Sequence, residues 1–272
     1  MRLDQPPVHM VMPGGAQAAF TFANALPLLV ICVLAVRYAR AHRTAIPLYL
    51  LAGGLASVFL EPIVDALGLC WFPKHGQWTA FRAFGVSIPL YMVPTYAWFV
   101  GGQAFLLYWL FRRGVTRRQL FMFWAGIALV NAAVEIPGLW IHVYTYYGKQ
   151  PFSVLRFPLW WVFCNTLMPM TAAAFAYKLA PVLRGWKLAL LVPLVPMSDG
   201  LANGAVSWPT WLALNSGKGY ALTYPAAVVS LGLSAIAVYV LSMVVASDSP
   251  FRREPAAADA TPRPGARVHA LA

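Results

Sequence analysis

Residues 46–68 read IPLYLLAGGLASVFLEPIVDALG, a run with no basic side chain in which the only charges are Glu61 and Asp65. A helix needs about 20 apolar residues to cross the ~30 Å hydrocarbon core of a bilayer, so this run predicts a transmembrane helix. An acid near the middle of such a helix costs roughly 2.5–3.5 kcal/mol on insertion scales, and a bundle retains one only where its interior uses it. Segments of this kind recur along the chain. Residues 17–36, 46–68, 86–111, 120–142, 159–180, 187–208 and 220–246 are each long and apolar enough to span. They predict an all-α polytopic membrane protein, a seven-transmembrane helix bundle.

Composition and charge agree. The 272 residues are 60% hydrophobic and 10% charged, against ~25% charged in typical soluble domains. Connections between segments are short, so residues 1–246 are expected to form one domain. Residues 247–272, rich in Ala, Pro and Arg, are expected to be a disordered cytoplasmic tail. The net charge of +12 does not call for a nucleic-acid partner. With the N-terminus outside and the C-terminus inside, fourteen Lys and Arg lie on the cytoplasmic side and six outside, as the positive-inside rule requires. The run Arg37-Tyr38-Ala39-Arg40-Ala41-His42-Arg43 flanks a retained first helix and offers no small-residue cleavage site. The expected setting is the plasma or inner membrane, with the bilayer as surroundings.

Glu61, Asp65, Glu135 and Asp199, half of the eight acids, interrupt these apolar segments. Glu61 with Asp65, Asn131 with Glu135, and Asp199 with Asn203 are polar pairs at i, i+4, so each pair occupies one helix face. Pro62, Pro137, Pro193 and Pro196 accompany them. A proline frees a backbone carbonyl, which is tolerated in a membrane where a cavity or polar partner takes it up. Glu61, Glu135 and Asp199 are therefore expected to meet at similar depth around one cavity displaced toward the outer leaflet. A repeat of two-helix units is also legible: Glu61 to Arg82 and Glu135 to Arg156 both span 21 residues, displaced by 74. Each unit has an acid-bearing helix, an aromatic-rich outer loop with an Arg, and a return helix. A weaker third copy would run from Asp199 through Lys218. Sites in membrane folds form where such repeats meet.

The plain reading of the acids is helix–helix glue, hydrogen-bonded to Asn131, Asn165, Asn203 or a tyrosine. Such contacts are worth only about 0.6 kcal/mol, which Asn or Ser supplies without the cost of an acid. Glu61, Glu135 and Asp199 are thus read as catalytic candidates, with Asp65, Asn131, Asn165 and Asn203 around the substrate. Arg82 and Arg156 near the outer mouth are either snorkelling side chains or a clamp on a polar end of the substrate. Most of the outer Trp and Tyr form an interfacial belt. Tyr91, Tyr96 and Trp161 are the candidates to line the cavity and stabilise a cation through their ring quadrupoles. Residues 220–246 contain no lysine for a retinal Schiff base, and no two histidines share a helix for haem or zinc ligation. There is no DDxxD magnesium motif, no P-loop and no Ser-His-Asp arrangement. No metal or other cofactor is expected.

With Glu61 in the second segment, Asp199 in the sixth and Glu135 in the fourth, the plan resembles small integral-membrane terpenoid cyclases: the seven-helix enzymes of fungal meroterpenoid pathways and, more loosely, membrane lycopene cyclases. The latter carry a Pro-x-Glu-Glu/Asp pattern where this chain has Leu60-Glu61-Pro62-Ile63-Val64-Asp65. The resemblance implies a metal-independent enzyme whose intramembrane carboxylic acids start cyclisation or isomerisation of a lipophilic, isoprenoid-like substrate. Two other readings fit the same acids: a proton- or cation-coupled transporter, and a non-catalytic lipid-binding subunit.

Overall fold

The computed structural model describes residues 5–248, and within them the chain is mostly helical. Seven helical rods follow in order: α1 (Gly14–His42), α2 (Ile46–Gly68), α3 (92–112), α4 (Arg117–Trp140), α5 (Leu159–Leu179), α6 (Gly185–Asn215) and α7 (Tyr220–Val245). All but α3 are long and apolar enough to cross a membrane. The third rod, with its glycines, tyrosines and Gln103, is less apolar and largely buried. It also starts later than expected. Val86–Pro89 is a strand, with Val86 and Ile88 alternating against Ser87 in the two-residue period of extended backbone.

The rods divide into a core and a lipid-facing shell. In the most apolar stretch of α5, 78% of residues are buried, whereas only 17% are in α4. The outer faces of α1, α4 and α7 carry Phe22, Leu26, Leu29, Leu129, Val228 and Ile236, all exposed. A soluble monomer rarely presents contiguous apolar faces of this extent. Together with the rod lengths they mark the molecule as membrane-embedded.

Several rods are broken, and sequence explains the breaks. In α2 a 3₁₀ turn at Val58–Leu60 precedes Pro62, which cannot donate to the Val58 carbonyl. Glu61 therefore sits at the start of the second half of the helix. In α3 the segment Ala97–Gly102 is π-helical, a form that concentrates at functional sites. In α5, Pro169 leaves the Asn165 carbonyl without its helical donor, and the rod breaks at Asn165–Thr166. The start of α4 is fixed by a capping box, with Thr116 Oγ accepting from Gln119 N and Thr116 N donating to Gln119 Oε1.

One end of the bundle is capped by three two-stranded antiparallel ladders, which the all-α reading did not include. Strands β1 (Cys70–Trp71), β2 (Thr79–Ala83) and β3 (Val86–Pro89) lie between α2 and α3; β4 (Thr145–Tyr146), β5 (Ser153–Val154) and β6 (Phe157–Pro158) lie between α4 and α5. Each connection thus has one strand followed by a hairpin, and β1 pairs with β4, joining the two units. The two units of the expected repeat share this element order. The third copy does not, because α6 and α7 are joined by a short turn at 216–219. The cap also holds the N-terminal segment: Gln17 Nε2 donates to the Gly76 carbonyl, and its Oε1 accepts from Trp78 N. At the opposite end Ser247 N donates to Val115 O and Asp248 Oδ1 accepts from Arg117 N, so the first two residues of the expected tail are tied down. Residues 249–272 lie outside the described residues.

Candidate active site

Beneath the cap lies a chamber of about 60 Å³. Its wall combines Glu61, Val64 and Asp65 from α2, Thr95, Tyr96 and Phe99 from α3, and Val134 and Glu135 from α4. Met92 from α3, Trp161, Asn165 and Met168 from α5, Asn203 from α6 and Phe20 from α1 complete the helical part. Cys70, Phe72, Tyr144 and Tyr146 descend from the cap. Three carboxyls from two separate rods therefore face one space, and no Lys, Arg or His lines it.

Local backbone explains how each group arrives. Glu61 and Asp65, one turn apart after the break in α2, present the same face and are almost fully buried. The Tyr96 hydroxyl, delivered from the edge of the π-helical turn, donates a short hydrogen bond to Glu61 Oε2. Glu135 is half-buried on α4, where its Oε2 accepts from Tyr144 (2.8 Å) and from Tyr146 (3.4 Å). These tyrosines sit at i and i+2 across extended backbone, which turns both toward one side. Two glycines make room for the rings. A Cβ at Gly138 would stand 2.5 Å from the Tyr144 ring, and one at Gly68 would stand 1.8 Å from that of Trp161.

The protonation of the cap groups is set by burial. It pushes the Cys70 thiol and the Tyr144 and Tyr146 phenols up, with the carboxyls nearby pushing the same way, so all three stay protonated and able to donate. Asp65 Oδ2 is buried and receives no hydrogen bond. Glu61 lies within electrostatic reach of both Glu135 and Asp199. Among the described residues, no three His, Cys, Asp or Glu side chains converge closely enough to hold a metal ion.

The residues singled out by sequence separate into two groups. Glu61, Asp65, Glu135, Tyr96, Trp161, Asn165 and Asn203 share the chamber. Asp199 does not form part of its wall. It is 1% exposed, with Oδ1 accepting from Asn203 Nδ2 at 2.9 Å and Oδ2 unpartnered, and it reaches the chamber through Asn203 one turn on. Tyr91 is also off the wall: its hydroxyl donates to the Val143 carbonyl and fixes the cap. Asn131 Oδ1 accepts from Gln103 Nε2 and ties α4 to α3. Arg82 and Arg156 are the clearest corrections. Arg82 is exposed on β2, its Nε 3.4 Å from Ser87 Oγ, and Arg156 is exposed at the β5–β6 turn beside His142. Neither belongs to the chamber wall. Solvated hairpins hold long basic side chains at little cost, whereas the buried wall does not. Sequence reasoning missed Cys70, Phe72 and the role of Tyr144 and Tyr146. The i, i+2 spacing of those tyrosines was the available signal, hidden among interfacial aromatics.

No family model matches this chain, and neither a curated protein nor a solved structure is significantly similar to it.

Proposed function

We propose that this protein is an integral-membrane enzyme that uses the chamber carboxyls for acid-initiated cyclisation or isomerisation of an isoprenoid-like chain. The observation that carries the reading is a cluster of carboxyls enclosed by aromatic rings with no cation in its wall. Carboxyls crowded without a counter-charge in a low-dielectric space cannot all ionise, which leaves a proton available to give. Glu61, with Asp65 on the same face, delivers that proton to an alkene or an epoxide oxygen. A C–H bond forms at the alkene, or the epoxide C–O bond opens to a hydroxyl, and a tertiary cation results. A neighbouring double bond then attacks to close a ring, or a proton is lost directly. Glu135, positioned by its two tyrosine donors, stabilises the cation and accepts the final proton, so the overall change in the substrate is an isomerisation. Phe20, Phe72, Phe99, Tyr96 and Trp161 present ring faces to the cation. Asp199 acts through Asn203 as a positioning residue.

Ligand pockets for whole small molecules measure ~300–1,000 Å³. A chamber of about 60 Å³ takes only the reactive end, and the rest of the chain extends past half-buried Glu135 toward the bilayer. All seven rods span, and by the distribution of Lys and Arg the cap faces outward. The test is incubation of the purified protein in detergent with farnesylated phenols and their terminal epoxides, followed by mass-spectrometric product analysis. Product from the native protein and none from Glu61→Gln supports the reading; no product from either removes it.

A second reading, proton- or cation-coupled transport, is favoured by the breaks in α2, α3 and α5 beside the chamber, since broken helices are a feature of transporters. Uptake into liposomes that follows a pH gradient, without product, would support it.

A further inference from the structure

At the end of the bundle opposite the cap, α1 and α3 enclose an open slot of about 480 Å³ whose wall includes Arg37, His42, Arg112 and Arg113. Aromatic neighbours hold two of these groups in place. The Arg113 guanidinium lies 3.9 Å from the centre of the Trp109 ring, and His42 stacks on Tyr38 with ring centres 4.0 Å apart. None of the four makes an ion pair among the described residues, so the slot offers clustered cation with no anion to meet it. Continuous with it, through shared Leu106, an almost wholly apolar groove of about 620 Å³ runs between α1, α3 and α4 toward the middle of the bundle. On α4 the groove extends from Met122 to Val130. Eight residues at ~1.5 Å each cover about 12 Å, most of the ~15 Å of one leaflet's hydrocarbon.

We infer that slot and groove together bind one anionic phospholipid, with its phosphate among Arg37, Arg112 and Arg113 and an acyl chain along α4. Charge complementarity selects the head: basic pockets between helices bind anionic headgroups, and planar guanidinium pairs with phosphate in two-point geometry. The matching length of the groove selects the chain. This site stands apart from the carboxyl chamber and does not depend on what the chamber does.

Native mass spectrometry of the purified full chain tests it, with dioleoyl phosphatidylglycerol and dioleoyl phosphatidylcholine as probes. The phosphatidylglycerol should bind and the phosphatidylcholine should not. Arg112→Gln/Arg113→Gln should weaken phosphatidylglycerol binding by about fivefold per guanidinium, roughly 30-fold together. Arg184→Gln/Lys187→Gln removes the same charge from an exposed stretch outside the slot and should leave binding unchanged. Gly126→Trp is the second arm. A Cβ there meets nothing within 4 Å, so the indole fills the groove without disturbing the bundle, and it should weaken binding several-fold with every arginine intact. Equal binding of both lipids, equal losses in the two charge variants, or full binding by Gly126→Trp would each overturn the inference.

Discussion

The capped end of the bundle holds three carboxyls around a small chamber with no base in its wall, while the opposite end holds three arginines and a histidine in an open slot with no acid. Both regions cluster ionisable side chains of one kind, and they are opposite in cost. In the slot, long side chains reach water and headgroups, so their charge needs no internal partner. In the chamber, Glu61 and Asp65 are buried, and the wall around them holds hydroxyls, a thiol, amides, the Glu135 carboxyl and apolar side chains but no base. The first arrangement is the one for which we propose attachment, and the second the one for which we propose chemistry.

Substitutions can break this contrast, and Glu61→Gln should do the most. It keeps shape and hydrogen bonding but removes the proton, so turnover should fall by about 10²–10⁴-fold with thermal unfolding in detergent nearly unchanged. A loss of folding without a selective loss of turnover would return Glu61 to the role of helix glue. Next comes Tyr96→Phe, which deletes the donor to Glu61. Hydrogen bonds to charged groups are worth about 1.5–3 kcal/mol, so a roughly 10- to 100-fold fall in rate is expected. Steady-state kinetics alongside Tyr91→Phe, whose hydroxyl serves the Val143 carbonyl, should show that the chamber tyrosine matters more to rate. Gly138→Ala drives a methyl into the Tyr144 ring; overpacking of this kind costs about 1–3 kcal/mol. It should lower the unfolding temperature and change the ratio of alkene products, because Glu135 loses its alignment. The smallest effect belongs to Arg82→Gln and Arg156→Gln. Exposed substitutions stay within about 0.5 kcal/mol, so turnover should move by no more than about twofold. A large loss there would restore the arginines to the substrate.

What could be read in advance followed the physics of each signal. Hydrophobic length is a strong signal, and six rods appear where it placed them. The third was blurred because its apolarity is diluted by Gly101, Gly102, Gln103 and tyrosines, the residues that let it pack centrally and turn π-helical. Acids at i, i+4 were legible as faces, and each of the three pairs puts at least one residue in the chamber wall. Asp199 failed as a wall residue because helical phase locates a side chain only to within a turn, and Asn203 takes the inner position. Long-range cap geometry could not be read: β1 pairs with β4 across 74 residues at the shorter separation of Trp71 and Thr145, and that pairing sets Cys70 beside the strand that bears Tyr146. Arg82 and Arg156 sat at matched positions in the repeat, but the match reflects matching hairpins and not a shared ligand.

The account rests on carboxyls of the chamber wall doing acid chemistry on a lipophilic chain. The most direct measurement is product formation from prenylated phenols and their epoxides by the purified protein and its Glu61→Gln variant, side by side in detergent with no ion gradient. The account predicts a cyclised or double-bond-shifted isomer of unchanged mass from the first and almost none from the second. Equal rates from the two proteins would contradict it.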